Sequence, residues 1–375
     1  MNELKKLNGL GQSLWLDYID RHLLNSGELY RLISQDDLKG LTSNPAIFEK
    51  AVATDSAYGR DLDNGDGSLK DAETVFEHLA IADIQVAADL LYPVYERTVY
   101  RDGYVSLEVS PKLAYDTEGT IQAGRRLWQA VHRENLMIKV PATEQGIAAI
   151  TALLSEGINV NATLLFSREM YGRVTEAWLS GLEQFAHQGG RLAKLASVAS
   201  FFVSRVDSTV DALILARLKQ TGDPMLQAKL HGVLGKAAIA NAKLAYHQYR
   251  QTIDGARWRP LAKKGAQSQR LLWASTGTKN PAYSDVLYVE SLIGPDTVNT
   301  VPPATLQAFA EHGVARATLE EDLEQALNVE ASLHDLGISL DEVTRQLLTE
   351  GVTLFADAYT KLLNAIMRHV HEKRP

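Results

Sequence analysis

The sequence contains no cysteine, which excludes disulfides, thiolate catalysis and thiolate-held zinc or iron–sulfur sites. It has no apolar run of the roughly 18 to 20 residues that a membrane-spanning helix needs. No apolar signal core follows Met1-Asn2-Glu3-Leu4-Lys5-Lys6, so a cytoplasmic chain without a membrane partner is expected. A basic excess is missing as well. Lys and Arg number 38 against 46 Asp and Glu, for a net charge of −8, which argues against a nucleic-acid partner. A local cationic pocket can still take an anionic substrate on such a chain. The ten histidines show no metal-ligand spacing, and neither a metal nor an organic cofactor is expected.

Several motifs fail on inspection. Gly9-Leu10-Gly11 has Leu14 where a dinucleotide fingerprint needs its third glycine, and it precedes a strand instead of following one. The run Asp61 to Gly67 looks like a calcium loop, but Gly65, Asp66 and Ala72 occupy positions that need an oxygen ligand, a glycine and a glutamate. It reads as part of an exposed polar loop spanning Tyr58 to Asp71. Asn161-Ala162-Thr163 fits a glycosylation acceptor but lies in an apolar strand. No Gly-x-Ser-x-Gly elbow is present.

What is present is an ordinary globular composition, 45% hydrophobic and 22% charged over 375 residues, enough for a substantial core. Short apolar segments alternate with longer helical patterns. Strands are expected at 14–19, 40–44, 104–109, 136–140, 158–164, within 195–203, at 271–275 and at 296–301. Helices are expected at 119–133, 144–155 and 168–185, with one long helix at 228–252. Eight strand–helix units in order predict an α/β fold, a (β/α)8 TIM barrel with extra helices, and a doubly wound sheet is the alternative. The chain reads as one domain, 1–375, in which 303–375 is a helical extension docked on the barrel. Its last helix opens with the capping box Ser339-Leu340-Asp341-Glu342. Val343, Leu347, Leu348, Phe355, Leu362, Ile366 and Met367 form its apolar stripe. The run Glu320 to Glu324 reads as a solvated helix face.

Chemistry enters with a lone lysine in Leu136-Met137-Ile138-Lys139-Val140-Pro141. A buried ammonium is costly, so the chain must pair Lys139 or let it lose its proton. A desolvated neutral amine attacks carbonyls, which points to Schiff-base chemistry. The bland alternative is a lysine that snorkels from a strand end to solvent. Polar residues recur at the other strand ends: Asp17, Thr42 with Asn44, Glu108, Asn161 with Thr163, Ser200 with Arg205, and Ser275. Any one of them could be a satisfied core residue. Their recurrence along successive strands fits an active site at the C-terminal face of a barrel. Lys139, Asp17 and Glu108 supply a nucleophile, a base and a proton shuttle. Arg205, Ser275 and Lys279 can hold a phosphate.

At these residues the chain resembles the transaldolase family. Gly40-Leu41-Thr42-Ser43-Asn44-Pro45-Ala46-Ile47 is similar to its second-strand signature. The segment from Leu136 to Ile147 is similar to its Schiff-base lysine signature, and Ile158 to Ser167 is also typical. The length of the chain suggests the longer bacterial branch. The resemblance implies transfer of a dihydroxyacetone unit from sedoheptulose 7-phosphate or fructose 6-phosphate to glyceraldehyde 3-phosphate or erythrose 4-phosphate, in the non-oxidative pentose phosphate pathway. It implies that Lys139 forms the Schiff base, that Asp17 takes the C4 hydroxyl proton, and that Glu108 moves protons through a water held by Thr163. Thr42, Asn44, Asn161, Ser200 and Phe202 would line the substrate site, and Arg205, Ser275 and Lys279 would contact phosphate. Lys279 is a displaced substitute for the arginine common shortly after the Ala-Ser pair. Fructose 6-phosphate aldolase relatives tend to carry glutamine and tyrosine where this chain has Glu108 and Phe202. That aldolase activity and a non-catalytic sugar-phosphate-binding barrel are the rival readings. Monomer and homodimer both remain open.

Overall fold

A computed structural model describes residues 2–55, 57–59 and 71–372, with side chains to residue 368. Most of the polar segment 58–71, including the run 61–67, lies outside the described residues, as do the side chains of His369 and His371.

Eight parallel strands close into a barrel in sequence order. They are β1 (Gln12–Asp17), β2 (Gly40–Thr42), β3 (Tyr104–Glu108), β4 (Leu136–Pro141), β5 (Val160–Leu165), β6 (Ser197–Phe202), β7 (Arg270–Ala274) and β8 (Thr297–Val301). Near-continuous burial along each strand follows from coverage on both faces, by the barrel interior and by the surrounding helices. The doubly wound alternative is excluded by the β1–β8 pairing, which aligns Gln12 with Thr297 and Leu16 with Val301.

Most elements fall where hydrophobic periodicity puts them, and the departures have physical causes. β1 begins at Gln12, ahead of its apolar run, because buried polar side chains there find partners. Gln12 donates to the Leu292 carbonyl (2.7 Å), and Ser13 donates to Asp102 (2.8 Å). The same lower layer holds a buried Arg270–Asp102 ion pair at 2.9 Å, with Trp15 and Ser13 completing the bonding of the carboxylate. The single helix expected at 228–252 is two helices, Pro224–Val233 and Ala237–Ile253. Gly235 breaks them at φ +69°, and a Cβ there would come within 2.6 Å of the Tyr283 hydroxyl oxygen. The acidic run at 320–324 is exposed, but it lies mostly in the turn before the helix Leu323–Asp335, with Asp322 at φ +57°.

Three helices follow β8. Pro303–His312 packs on β1 and on the N-terminal helix Glu3–Gly9, and Leu323–Asp335 packs on Ala237–Ile253. The third, Leu340–Glu372, starts where the Glu342 N–H donates to Ser339 Oγ at 3.2 Å. Val343, Leu347, Phe355, Leu362 and Ile366 are buried, with Leu348 and Met367 half-buried beside them. This helix lies against β5 and against the elements that leave the C-terminal ends of β2, β3 and β6. It therefore roofs part of the barrel mouth. Among the described residues, no helix is long and apolar enough to cross a membrane.

Candidate active site

Side chains alternate between the two faces of a strand, and the register fixes which ones meet at the mouth. Asp17 pairs with Thr42, Glu108 with Lys139, Lys139 with Asn161, and Pro141 with Thr163. Asp17, Glu108 and Lys139 therefore enter one space from β1, β3 and β4.

Lys139 is 4% exposed. Its Nζ donates to the Ser43 carbonyl at 3.1 Å and lies 3.3 Å from Glu108 Oε2. The ring of Phe355, from the C-terminal helix, has its centroid 5.6 Å from the same nitrogen. Burial pushes the Glu108 carboxyl up to about 7, against the pull of the Lys139 charge, and the charge of Asp17 adds to the rise. A carboxyl poised there can accept a proton from the amine and return it near neutral pH. Passing that proton turns a buried ion pair into two neutral groups and frees the amine lone pair.

Burial also raises Asp17, opposed by Lys139, by the hydrogen bond from Thr42 and by Lys279. Thr42 Oγ1 donates to Asp17 Oδ1 at 2.7 Å, so its only proton is committed there. Thr300, 2.7 Å away on β8, must then donate to Thr42. This pair aims the carboxylate, and Thr42 serves Asp17 before any ligand.

On the opposite wall Asn161 Nδ2 donates to Ser106 Oγ (3.0 Å), and Asn161 Oδ1 accepts from Ser200 Oγ (2.6 Å). The chain fixes the amide and leaves its second N–H for a ligand. Asn44 caps the helix Pro45–Thr54 through its oxygen, 3.1 Å from the Ile47 nitrogen, which leaves its NH2 group to donate. Thr163 Oγ1 is buried without a hydrogen-bond partner among the described residues, and Glu108 Oε2 is buried with the Lys139 ammonium 3.3 Å away. A cavity of about 20 Å³ adjoins Glu108, bounded by Ser43, Asn44, Ser110 and Tyr359, and is large enough for one water. The Phe202 ring packs 5.1 Å from Phe166.

Arg205 stands in the first turn of the helix Ser204–Gln220, half-buried, with its basicity lowered by desolvation and partly restored by Glu350. An anion there gains from both the guanidinium and the helix end. Ser275, at φ +55° after β7, shares a hydroxyl contact of 3.0 Å with Ser204, so part of its capacity is already used. Lys279 is exposed, and its charge reaches Asp17. The structure thus brings the expected residues to one mouth.

A family model described as transaldolase/fructose-6-phosphate aldolase matches residues 14–366. The chain belongs to the transaldolase/fructose-6-phosphate aldolase family. It is 48% identical over 376 residues to a transaldolase of Trichodesmium erythraeum, covering 100% of this chain and 99% of that one. It is 48% identical to transaldolase 2 of Nostoc punctiforme over 97% of each chain. A transaldolase of Thiobacillus denitrificans is 47% identical over 98% of this chain and 100% of its own. The family match contains the whole mouth, from Asp17 to Phe355.

Sequence reasoning missed four contributors. The Ser43 carbonyl and Ser106 hydroxyl carry no pattern signal, and Thr300 sits in a strand that also holds Thr297 and Asn299, so nothing local singles it out. Phe355 was legible only as one apolar residue in a helical stripe.

Proposed function

We propose that this chain is a transaldolase, transferring a dihydroxyacetone unit between phosphorylated sugars through a Schiff base on Lys139. The juxtaposition of a buried amine, a carboxyl near neutrality 3.3 Å from it and a second carboxylate on β1 carries this reading.

Lys139 Nζ attacks the ketose C2 carbonyl after passing a proton to Glu108, which forms the C–N bond of a carbinolamine. Glu108 then returns its proton to the departing hydroxyl, and water leaves as the iminium forms. A water between Glu108 and Thr163 can relay these protons. Asp17 takes the C4 hydroxyl proton, and the C3–C4 bond breaks. The aldose phosphate departs, and the bond's electron pair enters the iminium to give an enamine. The protein-bound enamine attacks the acceptor aldehyde in the reverse sequence, so the kinetics are ping-pong. Asn44 and Asn161 present N–H groups to the hydroxyls of the bound unit, while Arg205 and Lys279 draw the phosphate. Donors are fructose 6-phosphate or sedoheptulose 7-phosphate, with erythrose 4-phosphate or glyceraldehyde 3-phosphate as acceptors.

The test is incubation with fructose 6-phosphate, with and without erythrose 4-phosphate. Sedoheptulose 7-phosphate formed only with the acceptor supports the reading. Free dihydroxyacetone as the main product in both samples would assign the aldolase activity instead.

A further inference from the structure

A transferase of this kind must keep its three-carbon intermediate from water until the acceptor arrives. The C-terminal helix is built to do this at one residue. Gly351, Phe355 and Tyr359 follow one another at four-residue spacing and lie on one face. At Gly351 the helix passes so close to β5 that a Cβ would sit 3.0 Å from Leu164 Cδ2. Leu164 itself holds φ +61° at the irregularity in β5, next to Thr163. Such a conformation is strained for a leucine and persists only where surrounding packing enforces it. One turn beyond Phe355, the Tyr359 hydroxyl donates to Glu73 Oε1 at 3.0 Å. Its ring meets Phe76 edge-on at 5.6 Å, and Lys112 Nζ stands 5.5 Å over it. Phe355 is therefore pinned from both sides, 8% exposed, with its ring 5.6 Å from Lys139 Nζ.

We propose that Phe355 is a specificity-determining residue that favours transfer over hydrolysis of the intermediate bound to Lys139. This rests on the transaldolase reading. Hydrolysis requires protonation of the enamine at C3, addition of water to the resulting iminium carbon, and cleavage of the C–N bond. It yields dihydroxyacetone and the free amine. A ring over the nitrogen excludes the attacking water from that side. The helix covers the mouth beside β2, β3, β5 and β6, so the side bearing Asp17 on β1 and Lys279 after β7 is left for sugar phosphates to enter.

The test compares wild type with Phe355→Ala and Phe355→Leu, measuring dihydroxyacetone released per sedoheptulose 7-phosphate formed at fixed acceptor concentration. This ratio is independent of how much enzyme is active. The alanine variant should raise it about tenfold. The leucine variant keeps part of the apolar cover but is smaller than the ring, and should raise it about threefold. Borohydride adducts on Lys139 should persist in both. An unchanged ratio in Phe355→Ala, or in Phe355→Leu if the alanine variant does not fold, overturns the proposal. If wild type forms no adduct and no heptulose phosphate, the transaldolase reading itself fails, a different result from wild-type transfer with an unchanged ratio in the variants.

Discussion

Replacing Glu108 by glutamine isolates the proton shuttle from the architecture around it. The amide has the same shape, and its oxygen can still accept from Lys139 Nζ, which lies 3.3 Å from the carboxylate in wild type. The packing around a side chain only 5% exposed is kept. What is lost is a group able to take and return a proton. General acid–base catalysis contributes about 10²- to 10⁴-fold, and it is most effective when the group titrates near the working pH. Glu108 is pushed to about 7, so the middle of that range or above is expected, a fall in kcat of about 10³-fold, or roughly 4 kcal/mol. KM should change little, because the carboxyl acts on the amine and the departing hydroxyl and does not hold the sugar. Stopped reactions reduced with borohydride would show the adduct forming more slowly by the same factor. In wild type, kcat/KM should fall as pH drops through about 7, where the shuttle becomes protonated and can no longer accept. The variant should lose that inflection. A Glu108→Gln enzyme within about threefold of wild type that retains the inflection refutes this role.

Asp17→Asn should still form the Schiff base but not break the C3–C4 bond, lowering turnover by about 10²- to 10⁴-fold. Mass spectrometry after reduction should then find the whole six-carbon adduct in place of the three-carbon one. Arg205→Ala should raise KM for phosphorylated donors by about 10- to 100-fold through loss of a charge-assisted hydrogen bond. KM for unphosphorylated dihydroxyacetone should stay near wild type in the same assay. Asp207 is raised by burial to about 6 while accepting from the Ala238 N–H and the Tyr288 hydroxyl. Its native pKa lies above the ordinary carboxylate value, so the stability it contributes is full below about pH 4 and is lost as pH rises through about 6. Asp207→Asn should abolish that part of the decline, about 3 kcal/mol, in denaturant titrations between pH 4 and 7.

The barrel was legible because each strand is an apolar run ended by a turn residue, and the helices between carry a different period. Lys139, Asp17 and Glu108 stood out because ionisable groups are costly in such runs. Local reading failed where tertiary contact decides. Gly232 and Gly235 give the same local signal in an otherwise helical stretch; only the nearby Tyr283 hydroxyl shows that a side chain does not fit at Gly235. The hydrogen bonds that orient Thr42 toward Asp17 join β1, β2 and β8, which no single segment of sequence displays. The helical stripe of the C-terminal helix showed that Phe355 is apolar, but only the fold shows that it faces an amine some 200 residues earlier in the chain.

The most direct test of the central claim is borohydride reduction of the protein with fructose 6-phosphate, followed by peptide mapping. The account predicts a three-carbon adduct on Lys139, absent from Lys139→Met, and discharged when erythrose 4-phosphate is added before the reductant. An adduct on another lysine, or full turnover by Lys139→Met, would contradict it.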